Sequence, residues 1–268
     1  MEIKVAPDLQ LVLPRTRWTG VQMFCTTRAG GVGRAPYDNF NLGLGAGDVP
    51  EVVHKNRQIL RGLLPADPVW LNQVHGIRVI DADDPAQCQE QGAAPRADAS
   101  VTAQPGRVLA VLTADCLSVV IADEAGSVVG AAHAGWKGLA GGVLEAMFEQ
   151  LQHKRERKGS SSVCTWHAWI GPGIGARAFQ VGEDVRQAFG QDGDPSTGLF
   201  VVDPVELGKW RADLAGLAER RLSRLGILHV ERSGCCTVTD RTAEGAKKFF
   251  SYRRDRQTGR MATLVWLG

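Results

Sequence analysis

The segment TADCLSVVIADEAGSVVGAAHAGWKG, residues 113–138, constrains the fold more than any other part of the chain. Two apolar runs flank Asp123-Glu124-Ala125-Gly126, a four-residue turn with Asp first and Gly last. A hairpin centred there pairs Ala122 with Ser127, Val120 with Val129, Ser118 with Ala131 and Cys116 with His133. The thiol and the imidazole then face each other on one side of the sheet, with Cβ atoms roughly 5 Å apart. His133 is followed at once by Ala134-Gly135-Trp136-Lys137-Gly138 and then by a helical pattern. Glycines before a helix leave free N–H groups at the positive end of its dipole, which suits a phosphate or carboxylate.

Other elements follow from period and capping. Pro50 and Glu51 after Asp48 open a helix that runs to about Leu63. Leu139, Val143, Met147 and Leu151 recur every four residues and predict a helix with one buried stripe. Asp203-Pro204-Val205-Glu206 reads as a helix start, with Leu207, Trp210, Leu214 and Leu217 inward and a stop at Gly226. Strands are expected at 22–26, 69–74, 79–81, 108–112, 117–122, 127–133, 166–170, 227–231 and 263–267. Strands and helices mixed without strict alternation predict an α+β fold. Residues 81–97 read as a long surface loop, and 154–162 (KRERKGSSS) as a charged loop after a helix. With 268 residues and neither repeat nor clear linker, one domain over 1–268 is expected.

His75 joins the Cys116–His133 pair as a third candidate. It ends a predicted strand beside Gly76, where a side chain turns readily into a cleft. Two His and one Cys form a set that suits Zn²⁺ and leaves a fourth position for water or substrate. The residues alone leave three other readings open. Cys116 and His133 also fit a small core residue and a hydrogen-bonded strand end. They fit equally a metal-free pair in which His133 activates the Cys116 thiol against an amide, with Asp115 beside it. A closed structural zinc site with Cys235 or Cys236 as fourth ligand is the last.

Composition removes several classes. The chain carries 31 basic and 29 acidic residues, a net charge of +2, which gives no electrostatic case for nucleic acid or an anionic membrane. The longest apolar stretch, 108–122, is interrupted by Thr113, Asp115 and Ser118 and is too short to span a bilayer. MEIKVAPDLQ at the start has no apolar core of signal-peptide length, so a cytoplasmic protein is expected. The six cysteines are scattered without a C-x-x-C pair, which argues against a disulfide framework or zinc ribbon. His54, His153, His167 and His229 show no partner pattern. The glycine-rich 171–175 lacks the helix and acidic residue of a dinucleotide fingerprint and reads as a shaped loop. Ser251-Tyr252-Arg253-Arg254-Asp255 fits either a binding edge or a basic turn into the last strand.

Taken together, TTRAGG (26–31), FNLGLGAGD (40–48), NR (56–57), NQVHG (72–76), TADCLSVV (113–120), AAHAGWKG (131–138), IGPGIG (170–175) and FFSYRRDRQTGRMATLVWL (249–267) resemble one family over nearly the whole chain. This is the YfiH family, also called the laccase-domain, multicopper polyphenol oxidoreductase or peptidoglycan editing factor family. The resemblance implies a single layered α/β sandwich, with mixed sheets flanked by helices, and a zinc ion held by two His and one Cys. Those ligands fall on His75, Cys116 and His133. Gly33 stands where the family usually has Ser, and Gly45 where it usually has His.

The family's names imply different activities. One is a purine nucleoside phosphorylase that also deaminates adenosine and acts on methylthioadenosine. Another is an amidase removing wrongly built peptidoglycan precursors, and the oldest is a laccase. A multicopper oxidase needs a His₂Cys site and an imidazole-rich trinuclear cluster; six histidines with no His-x-His pair cannot furnish both. Copper is therefore disfavoured against zinc. The leading expectation is a zinc-dependent enzyme acting on a purine nucleoside and phosphate, with His75, Cys116 and His133 as metal ligands and catalytic residues. Asn41, Arg57, Lys137 and Arg28 are expected to shape the substrate and phosphate pocket, with a cell-wall precursor as the alternative small-molecule substrate.

Overall fold

The structure, a computed structural model, describes residues 9–159 and 164–268. The first eight residues, where the sequence shows no signal-peptide core, and part of the 154–162 segment lie outside that set. Among the described residues the strands are β1 (Leu11–Val12), β2 (Val21–Thr26), β3 (Val79–Asp81), β4 (Ala99–Thr102), β5 (Leu109–Thr113), β6 (Leu117–Asp123) and β7 (Val129–Ala134). They continue as β8 (Trp166–Ile170), β9 (Gln180–Val181), β10 (Phe200–Val202), β11 (Trp210–Ala212), β12 (His229–Arg232) and β13 (Met261–Leu267). The helices are α1 (Pro50–Arg61), α2 (Trp136–Gly141), α3 (Val143–Arg157), α4 (Glu183–Ala188), α5 (Leu214–Arg224) and α6 (Tyr252–Asp255).

A six-stranded sheet, in the order β12-β8-β6-β7-β4-β3, lies against a four-stranded one ordered β1-β2-β13-β5. Period-two alternation decides which core each side chain enters. Along β6, Val119 and Ile121 join the core shared with α3 and α5, while Val120 and Ala122 join the core between the two sheets. Likewise, β13 sends Met261, Val265 and Leu267 toward the six-stranded sheet. Its Ala262, Leu264 and Trp266 pack with Phe24, Phe40 and Leu60, the last from α1. The result is four layers, helix–sheet–sheet–helix, and the α+β expectation holds. A small sheet, β10-β11-β9, completes the fold.

The hairpin differs from its expected register. β6 pairs with β7 as Ala122 with Val129, Val120 with Ala131 and Ser118 with His133, so Cys116 is not opposite His133. The turn bond survives, Gly126 N–H to the Asp123 carbonyl at 3.0 Å. The Asp123 carboxylate then captures the N–H groups of Ser127 and Val128, at 2.7 and 3.1 Å, and lengthens the loop before pairing resumes. A shift of two residues leaves every side chain on its face.

Other departures have local causes. The helix expected after Asp203 is a β-hairpin loop instead, with Leu207 98% exposed and Trp210 in β11. The Asp203 carboxylate does accept the N–H groups of Val205 and Glu206, but such a turn need not propagate, and Gly208 reverses the chain at φ +77°. Asp213 is the real cap, accepting from Gly216 N–H at 2.9 Å, and α5 starts there. The stripe Leu139, Val143, Met147 and Leu151 is buried as expected, but Gly142 at φ +101° splits it into α2 and α3. Lys154 belongs to α3 rather than to a loop; its buried ammonium donates to Asp81 and Asp83 at 2.6 and 2.7 Å. Residues 69–74 form no strand; their β-pairing is confined to isolated bridges at Val69 and Asn72.

Candidate metal centre

Three chain segments bring the site together. The first is the loop ending at His75, docked where a strand would be. Gln73 uses its amide in place of a backbone ladder, accepting from Leu112 N–H and donating to the Leu112 carbonyl, both at 2.8 Å. Beyond it the chain wraps round one carboxylate: Val74, His75 and Gly76 all donate their N–H groups to Asp98, at 3.2, 2.9 and 2.7 Å. That wrap holds His75 at φ +60°, in the left-handed region that few non-glycine residues adopt.

The second segment is the β5–β6 turn. Asp115 adopts φ +98° there, and its carboxylate accepts from Thr237 Oγ1 and Arg253 N–H, both at 2.6 Å. The Asp115 side chain is thus committed to holding the Thr237 loop and the first turn of α6, not to orienting a base. Cys116 follows, with Sγ 3.9 Å from His75 Nε2. His133, on the third segment β7, is buried, and its ring lies edge-on to His75 with centroids 4.7 Å apart.

One donor atom from each of His75, Cys116 and His133 lies within 4.8 Å of the other two. A tetrahedral zinc ion with bonds of about 2.0–2.3 Å needs donors about 3.3–3.6 Å apart, so the set fits with a small contraction. His133 Nδ1 is 2.8 Å from Asp98 Oδ1. Burial pushes the Asp98 carboxyl up, but bonds from His133 and the loop N–H groups outweigh it and hold the group as carboxylate. Nδ1 therefore carries the proton, and Nε2 is the atom left for a metal. Cys116 is under the same contest: burial raises its thiol, while His133 and the bond to His75 bring it down to about 6. Burial lowers His133, but Cys116 and Asp98 raise it to about 9. The pair favours thiolate, the form a metal binds.

The glycines after His133 serve close approach. A Cβ on Gly135 would lie 2.9 Å from Cys116 Sγ and 2.9 Å from His75 Cδ2, and one on Gly138 would lie 2.8 Å from the Gly76 carbonyl. The residues 135–138 expected to cradle an anion thus let α2 close over the donor set. Lys137 is exposed, with its ammonium over the Trp136 ring.

All three donors line a cavity of about 540 Å³. None of Asn41, Arg57, Lys137 and Arg28 does. Arg28 is paired with Asp38 at 2.8 Å, and Arg57 stacks on Trp70 while donating to the Leu42 carbonyl at 3.0 Å. Asn41 is fully buried; its Oδ1 accepts from Gly43 and Arg260 N–H and so supports two residues that do line the cavity. Sequence reasoning missed Asp98, Arg260, Trp136 and Phe179, and left Tyr252 and Arg253 undecided between two readings. Nothing in local patterning marks Asp98, which lies at the end of a polar loop. Cys235 and Cys236 stay outside the donor group, and the Cys236 sulfur accepts from Gly175 N–H at 3.3 Å.

Fold and site together define a four-layered α+β protein with a His-Cys-His group on its cavity wall. The chain belongs to the family described as multi-copper polyphenol oxidoreductase laccase, which residues 22–268 match. It is 43% identical over 250 residues to the Escherichia coli K12 protein named purine nucleoside phosphorylase YfiH, covering 92% of this chain and 94% of that one. It is 42% identical to the Pseudomonas aeruginosa purine nucleoside phosphorylase PA4543, covering 92% and 93%. Among solved structures, it resembles the Neisseria meningitidis protein NMB0706 with a TM-score of 0.81 and 40% identity, covering 97% of this chain and 99% of that one. It resembles Bacillus licheniformis YfiH with a TM-score of 0.82 and 30% identity, covering 98% and 97%. Among the described residues, no helix is long and apolar enough to cross a membrane.

Proposed function

We propose that this chain is a cytoplasmic, zinc-dependent purine nucleoside phosphorylase, working as one catalytic domain. The observation that carries the reading is the convergence of His75, Cys116 and His133 on one wall of the 540 Å³ cavity, with Asp98 fixing both histidines from behind. The names of the relatives support the activity. Trp136, Phe179, Tyr252 and Leu112 give the cavity the apolar and aromatic walls that a purine requires. A bound zinc ion would supply a Lewis acid with a position open to substrate or water.

In the reaction, an oxygen of hydrogen phosphate bonds to the anomeric carbon of the sugar as the C–N bond to the base breaks. The electron pair leaves with the base, which takes the phosphate's proton. Adenosine, inosine, guanosine and methylthioadenosine are the substrates we assign. Deamination of adenosine, in which water adds at C6 and ammonia leaves, is the side activity. Copper oxidase chemistry is disfavoured by donor supply. Among the described residues the His-Cys-His set is the one metal group, and His167 and His229 face each other apart from it, 5.1 Å between centroids.

Zinc-loaded protein given inosine and phosphate should release hypoxanthine and ribose 1-phosphate. A chelator should abolish the activity and added zinc restore it; a zinc-loaded sample that forms no ribose 1-phosphate would overturn the assignment. The low thiol pKa of Cys116 favours a second reading, nucleophilic attack on an amide of a cell-wall precursor. Stoichiometric zinc, measured by elemental analysis, would occupy the thiolate and exclude that reading.

A further inference from the structure

We propose that Arg260 and Arg253 form the anion subsite of the cavity and bind inorganic phosphate beside the His-Cys-His group. The assignment rests on the phosphorolytic reading and moves the phosphate from the glycine-rich turn to the opposite end of the sequence.

Both arginines line the same cavity as the three donors. Among the described residues neither forms an ion pair, whereas Arg28, Arg186, Arg211, Arg221, Arg224 and Arg254 are all matched to carboxylates. Backbone carbonyls tether each guanidinium through one nitrogen only. Arg260 Nη1 donates to the carbonyls of Thr258 and Gly259 at 2.9 and 3.0 Å. Arg253 Nη1 donates to the carbonyl of Gln180 at 2.8 Å and, at 3.5 Å, to that of Ala178. Nε and Nη2 of each therefore keep their hydrogens without a partner among the described residues. A guanidinium held by carbonyls, with an Nε–Nη2 edge free, is a fork aimed at a planar pair of oxygens.

The surroundings reinforce this. Burial lowers the pKa of both arginines against an opposing pull from Asp115, whose carboxylate oxygens already accept from Thr237 Oγ1 and Arg253 N–H. Each cation is thus partly stripped of water with no ion pair of its own among the described residues. An anion in the cavity supplies the missing partner. Each backbone is pinned: Asn41 Oδ1 accepts from Arg260 N–H at 2.9 Å, and Asp115 accepts from Arg253 N–H. Gly43 leaves room for the Arg260 stem, since a Cβ there would lie 2.6 Å from Arg260 Cγ. Thr113, also on the cavity wall and 1% exposed, has a hydroxyl with no partner among the described residues, which provides a further donor.

The test is phosphate affinity, measured in two ways on zinc-loaded protein. Calorimetric titration with inorganic phosphate needs no turnover, and steady-state kinetics give separate KM values for phosphate and inosine. R260Q and R253Q should each weaken phosphate binding and raise the phosphate KM by about 10–100-fold, as expected for a lost charge-assisted bond. The inosine KM should stay within about threefold, and R260K should recover part of the loss, since it restores charge without the fork. Surface R61Q serves as the control, and melting curves show which variants fold. If R260Q does not fold, R260K and R253Q carry the test. Wild-type protein that does not bind phosphate, or folded variants that bind it as tightly as wild type, would overturn the subsite. Phosphate bound through Arg260 and Arg253 without any ribose 1-phosphate would leave the subsite standing and defeat the phosphorylase reading instead.

Discussion

Asp98 is the residue on which both cavity-facing histidines depend. It is fully buried, accepts from His133 Nδ1 and receives three N–H groups of the loop that carries His75. Substituting Asp98→Asn removes charge and puts an amide where every neighbour is a donor. Zinc affinity should fall by about 10–100-fold, read by competition with a chromophoric chelator. An unchanged affinity would show that the histidines orient themselves. Gly135 presents the steric counterpart. Gly135→Ala forces a methyl against Cys116 Sγ and His75 Cδ2 at 2.9 Å each, so the donors must part. Zinc binding should weaken at least about tenfold while the melting point changes little, because the clash falls on a cavity wall rather than in the core.

At the level of elements, two acidic groups brace the small sheet of β9, β10 and β11, whose ladders and buried Val181, Phe200 and Ala212 hold its centre. The Arg186 guanidinium, with Trp210 Nε1–H, holds the Glu183 carboxyl down to about 2. Burial raises Asp203, but backbone N–H groups of Val205 and Glu206, Gln180 and Arg211 bring it down to about 2. Carboxylates depressed in this way stabilise the fold above their ordinary pKa of about 4, and the contribution is lost as pH falls through about 2. Acid titration should therefore expose Trp210 between those values, followed by its fluorescence, and Glu183→Gln should flatten the change. The same region shows what local sequence could not convey. Asp203-Pro204 obeys every rule of a helix start, yet the chain turns back at Gly208 because β10 and β11 pair through contacts made elsewhere. Where the signal was local and apolar, as in β2, β6 and α1, elements were legible to within a residue or two. His75, Cys116 and His133 were legible too, because two of them bracket one hairpin. Arg260 was not, and Arg253 only as half of an open choice, since residues 253 and 260 meet 75 and 116 only through the closed fold. Arg28 and Arg57, the cations expected at the phosphate, are tied instead to Asp38 and to Trp70.

For the molecule as a whole, a ligand that binds only the folded state adds to stability. Zinc at a hundredfold its Kd should contribute about 2.7 kcal/mol and raise the melting point by roughly 5 °C in a chain of this size. Calorimetry with and without chelator reads this directly. All six cysteines are free, so a reductant should leave the melting point where it was. The four-stranded sheet carries one more consequence. Its strand β13 lies between β2 and β5, pairing with both, although β2 is made some 240 residues earlier. On a translating ribosome the early strands must wait with an open edge until the last strand emerges. Arg260, which enters the cavity immediately before β13, arrives with it. The cavity thus acquires the wall that carries Arg260 only once that strand has left the ribosome, and the site is incomplete before then.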